Sequence, residues 1–125
     1  MYFLSEEWIR VAGEALRSDS AFLDEVGEKT FCMWIVAEEK PEWADDATLT
    51  IEDGDISLVS GQEGVANAVG RAKYQDWLAI LRHELHPRRA TLTRKLRGKG
   101  LPAVLTNYRL LDTMLDALRT IEVTQ

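Results

Sequence analysis

Two histidines stand three residues apart in His83-Glu84-Leu85-His86, with a glutamate between them. A zinc-protease helix sets its histidines four apart, on one face, with the glutamate as general base. Here the spacing is one short, Pro87 follows at once, and no other His or Cys cluster offers a third ligand. Catalytic zinc needs three protein ligands and an open position, so no metal is expected, and both histidines read as helix-end residues, with His86 near the cap before Pro87. Nucleophilic chemistry has no better start. Ser5, Ser18, Ser20, Ser57 and Ser60 fall at expected caps, turns or strands, and none sits in a G-x-S-x-G elbow. The single cysteine, Cys32, lies between Phe31 and Met33, where apolar company makes it a small buried residue with a neutral thiol. The sequence therefore reads as non-enzymatic, with no catalytic residue and no cofactor.

Binding is a different matter. The stretch Arg82 to Lys99 holds seven of the fifteen Lys and Arg residues. Arg94, Lys95 and Arg97 are its candidates for an anionic headgroup; the plainer reading is that charges on an exposed strand edge keep sheets from pairing. Charge is also divided along the chain. Residues 1–63 carry sixteen acids and four bases, net −12, and residues 64–125 carry five acids and eleven bases, net +6. The halves are expected to complement each other within one fold or across a dimer. A total of −6 argues against nucleic acid as a partner, because such binding rests on a positive footprint.

The elements that must position these residues fit one domain, 1–125, large enough for a real core. No apolar run approaches the roughly 20 residues that span a bilayer, so no stable membrane insertion is expected. The opening MYFLSEEWIR lacks a basic start and a long apolar run. With one lone cysteine, the expected location is cytoplasmic.

Ser5 followed by Glu6 and Glu7 is a helix start, and Trp8, Ile9, Ala12, Ala15 and Leu16 recur at helical spacing. Phe22, Leu23 and Val26 form a second patch. Thr30 to Glu38 is an apolar strand, followed by an acidic loop at 38–46 with Trp43 tucked against the sheet. Ala47 to Asp53 alternates, Asp53-Gly54 is a hairpin turn, and Asp55 to Ser60 returns with Ile56 and Leu58 inward. Residues 30–60 thus predict a three-stranded antiparallel meander. Gly61, Gly64 and Gly70 look like turn or bulge positions. Val65 to Lys73 suits a fourth strand or a helix. Asp76 caps a short helix carrying Trp77, Leu78, Ile80 and Leu81; Pro87 opens another; Leu92 to Arg97 is strand-like. Pro102 to Val123 predicts one long helix whose stripe includes Val104, Leu105, Tyr108, Leu111, Met114, Leu115, Leu118 and Ile121. That stripe suits a core helix, a dimer seam, or one wall of an apolar cavity.

The stretch Asp76 to Gly100 resembles the sterol-carrier (nonspecific lipid-transfer) family, whose members show D-x-L-x-x-L-x-x-G-x-x-x-P-x-x-A-x-x-x-G-K-L-x-x-x-G. Asp76, Leu81 or its neighbours, Pro87, Ala90, Lys95, Leu96 and Gly100 keep that pattern in register. Two residues depart from it: His83 stands at the glycine before the proline and Arg94 at the glycine before Lys-Leu. A bulky cation at 94 is expected to alter the strand, or to narrow or charge the mouth of a cavity. The resemblance implies an α+β fold: a five-stranded, mainly antiparallel sheet covered by helices, with an apolar tunnel between them. It implies non-enzymatic binding or carriage of a fatty acid, fatty acyl-CoA or other lipid. Matching positions Trp77, Leu81 and Leu96, with Leu105, Leu111, Met114 and Leu115 of the last helix, are the expected lipid-binding residues. The alternative is an interaction module or homodimer with a closed cavity, joined through the C-terminal helix.

Overall fold

A computed structural model describes residues 1–124. Helix α1 (Glu6–Ser18) starts where Ser5 Oγ accepts a hydrogen bond from Trp8 N–H at 3.2 Å, and it buries Trp8, Ile9, Ala12 and Leu16. Asp19 caps α2 (Ser20–Val26) in the same way, accepting from Phe22 N–H at 2.9 Å. A short polar side chain satisfies a donor that the first helical turn leaves unpaired, which is why Ser5 marks a helix start in the sequence.

Strands β1 (Phe31–Glu38), β2 (Ala47–Glu52) and β3 (Asp55–Ser60) form the antiparallel meander. Asp53 and Gly54 turn it with φ of 49° and 86°, the positive pair a two-residue hairpin needs. Strand β4 (Ala68–Lys73) then pairs with β1 in parallel, giving the order β3-β2-β1-β4. To reach it, the chain crosses the outer face of the sheet through residues 61–67. That crossing is pinned to β1, because Glu63 O accepts from Trp34 Nε1 at 2.8 Å and Asn67 Oδ1 accepts from Cys32 N–H at 2.8 Å. Cys32 is consequently half-buried on the outer face, where it packs with Trp34 against the small cluster of Val36, Ala66 and Val69.

The sheet thus has four strands where five were expected; it is mainly antiparallel, as expected, with β1–β4 the one parallel pairing among the described strands. Leu92 to Arg97 is no strand: α4 (Pro87–Leu92) is a helix, and Arg94 turns the chain with φ 61°. The expected fifth strand is reduced to one bridge on the edge of β4. Arg71 and Arg97 exchange hydrogen bonds at 2.6 and 2.9 Å, and Val69 N–H donates to Lys99 O at 2.9 Å. Backbones approach so closely there that a Cβ on Gly98 would fall 1.7 Å from Val69 O.

Three further expectations change. Helix α3 (Tyr74–Leu81) starts at Lys73 with no side-chain cap, and Asp76 lies inside its first turn, where a carboxylate favours the dipole. The long C-terminal helix is two, α5 (Leu101–Thr106) and α6 (Tyr108–Arg119), because Asn107 leaves helical geometry at φ −92°, ψ 56°. Trp43 lies 46% exposed against Tyr2, with ring centroids 4.8 Å apart, and is not tucked on the sheet.

The helices cover the inner face of the sheet. Leu49, Ile51, Ile56 and Leu58 meet Trp8, Ile9, Leu16 and Phe22 there, with Leu118 of α6. A smaller cluster, including Ile80, Ala90, Leu96 and Leu101, fills the space under α4 and α5. Among the described residues, no helix is long and apolar enough to cross a membrane.

Candidate functional site

The inner face is not filled everywhere. An apolar cavity of about 280 Å³ lies between β1, β2, α2 and the elbow of α5 and α6. Phe31, Met33 and Leu49 wall it from the sheet; Phe22, Val104, Leu110, Leu111 and Met114 wall it from the helices. Exposed Lys29, Thr30 and Ala103 stand at its mouth. Lys29 Nζ donates to Glu25 O at 2.6 Å, which holds the ammonium at the end of α2.

Deeper between sheet and helices is a second apolar space of about 60 Å³. Trp8, Ile35, Trp77, Leu81 and Leu115 line it, and its lining shares Leu49 and Met114 with the outer chamber. Gly70 helps shape this wall. A Cβ there would come within 3.1 Å of both the Trp77 ring and Met33 Cε, so the bare backbone lets the indole lie against β4. Trp77 Nε1 donates to Val36 O at 3.0 Å, which fixes the ring in that pose.

The residues expected to meet a lipid divide accordingly. Leu111 faces the outer chamber, Trp77, Leu81 and Leu115 the inner space, and Met114 both. Leu105 lies on another groove with His86, Arg88, Tyr108 and Asp112, which borders the outer chamber at Leu111. Leu96 is buried in the cluster under α4 and α5 and lines neither space. Arg94, Lys95 and Arg97 are exposed and stand apart from the mouth; Arg97 pairs with Glu38 across the edge of β4. The cation that does stand at the mouth is Lys29, which nothing in the sequence marks beyond its place after Gly27. Phe22, Met33 and Leu49 are visible there only as members of apolar patterns. His86 acts as a cap, its Nδ1 accepting from Arg88 N–H at 3.1 Å.

A two-chamber apolar void between a small mixed sheet and a C-terminal helical elbow invites comparison with known proteins. No family model and no curated protein matches the sequence. Solved structures do. A conserved hypothetical protein from Thermus thermophilus superimposes with a TM-score of 0.76 at 20% identity, over 99% of this chain and 92% of that one. A crystal structure of sterol carrier protein 2 gives 0.73 at 19% identity, over 96% and 99%. The chain has the sterol carrier protein 2 fold. Domain 2 of a sterol carrier protein from Helicoverpa armigera also matches, at 0.62 and 16% identity, over 94% and 91%.

Within the sterol carrier protein 2 fold, the two departures from the motif gain a structural meaning. His83 and Arg94 keep the left-handed backbone a glycine would adopt, with φ of 66° and 61°. Arg94 does not charge the cavity mouth, because its side chain lies outside the lining.

Proposed function

We propose that this protein binds and carries a single-chain lipid, such as a fatty acid or its thioester, in the cavity between sheet and helices, without catalysing a reaction on it. The observation that carries this reading is the outer chamber: its walls are aromatic and aliphatic, and Lys29 and Thr30 give its mouth a polar side. Such a shape suits an apolar chain with a polar end, and each CH₂ moved from water into it contributes about 0.8 kcal/mol. The shared fold with sterol carrier protein 2 supports the same reading. The C-terminal helix needs no second copy of the chain to explain its wide stripe, since Leu115 and Leu118 are buried and Leu110, Leu111 and Met114 face the cavity.

Thermal unfolding with and without ligand tests this. A ligand that binds only the folded state stabilises it by RT ln(1 + [L]/Kd), about 2.7 kcal/mol at a hundredfold excess over Kd. A rise in melting temperature with medium-chain fatty acids is expected. No rise across fatty acids, acyl-CoAs and sterols would contradict the reading.

A further inference from the structure

We infer that Met114 is the partition that sets the length of chain the cavity accepts. This rests on the carrier reading and goes beyond it. The outer chamber of about 280 Å³ and the inner space of about 60 Å³ have only Leu49 and Met114 in common. Those two side chains therefore stand where one space would open into the other. They are not equally fixed. Leu49 is 3% exposed in the middle of β2, paired with Met33 on one side and Leu58 on the other. A residue held by ladders on both sides has little room to move. Met114 is half-buried on α6, unbranched, and free to turn about three side-chain bonds.

A chain entering past Lys29 thus meets Met114 where the outer chamber borders the inner space. Behind it lie Trp8, Trp77 and Leu81, already apolar and already arranged around a gap. The inner space is large enough for about two methylene-sized groups, at roughly 30 Å³ each. Truncating Met114 would join the spaces and add the volume of its own side chain. The length limit should then move outward by about four carbons.

The test is a series of n-alkanoates of six to sixteen carbons, measured by displacement of 1-anilinonaphthalene-8-sulfonate from the full chain. For the unaltered protein, affinity should rise about fourfold per CH₂ up to a break and then level off. Met114→Ala should move the break to longer chains, and Met114→Phe should move it to shorter ones. Met114→Leu should leave it in place. Opposite shifts in the first two variants separate a changed limit from a damaged fold, which would weaken every length alike. The same break in all four proteins, or no break in any, would overturn this inference alone. Failure of every alkanoate to bind the unaltered protein would overturn the carrier reading and the inference with it.

Discussion

At the scale of single residues, the two bulky side chains at glycine positions, His83 and Arg94, are the most telling feature. Helix α3 ends with His83 N–H donating to Ile80 O and Glu84 N–H to Ala79 O; helix α4 ends with Arg94 N–H donating to Thr91 O and Lys95 N–H to Ala90 O. Both are Schellman endings, in which the first residue past the cap turns left-handed and glycine is the usual occupant. A side chain there crowds the following carbonyl and costs about 1–2 kcal/mol. Glycine would recover that cost, less the freedom it gains in the unfolded chain. Arg94→Gly and His83→Gly are each expected to stabilise the fold by about 1 kcal/mol, a rise of roughly 4 °C in melting temperature for a chain of this size. Neither residue lines the cavity, so alkanoate affinity should not change. Calorimetry on the two variants checks the first point, and a loss of stability would show that the side chains make contacts worth more than the strain.

At the scale of elements, Asp46 does more than the solvated acidic loop it belongs to would suggest. Its carboxylate accepts from Ala37 N–H at the end of β1, from Lys40 Nζ and from Gln62 Nε2, at 2.9, 2.8 and 2.9 Å. One side chain thereby ties β1, the 40–46 loop and the exit of β3 together. Burial alone would raise its pKa, but the hydrogen bonds from Lys40, Gln62 and Ala37, with the charge of Lys40, outweigh it and hold the carboxyl below its ordinary value of 3.8. A depressed carboxylate stabilises the fold above its unfolded pKa and loses that contribution as pH falls through the folded one. Asp46→Asn should therefore be less stable than the unaltered chain at neutral pH, with the gap closing as pH drops below about 4. Urea unfolding at several pH values reads this directly, and a gap independent of pH would contradict it. These elements also show what the sequence could tell. Ser5 and Asp53-Gly54 act within a few residues, so the first helix and the hairpin were legible. The crossing of residues 61–67 to a parallel β4 and the clasp at Asp46 depend on partners outside their own stretch, and local spacing carries no trace of them.

At the scale of the whole molecule, the acidic first half and the basic second half meet within one fold. Arg97 pairs with Glu38 and Lys73 with Glu39 where β4 and its bridge run beside the end of β1. These pairs are exposed and contribute little to stability; they match the charge division without requiring a dimer. The cavity, too, belongs to the whole molecule. Trp77, Leu81, Leu111, Met114 and Leu115 could be placed on apolar helix faces from the sequence, but which of them share a space is set by how α6 packs against α1, α2 and α3. Leu96 and Leu105 sit on equally apolar stretches and end elsewhere. The central claim is that the cavity holds one lipid chain, and native mass spectrometry of the protein incubated with dodecanoate tests it most directly. The expected result is a single adduct per chain, removed by excess decanoate and recovered intact by organic extraction. Only the bare protein mass, with dodecanoate and then with an acyl-CoA and a sterol in its place, would contradict the claim.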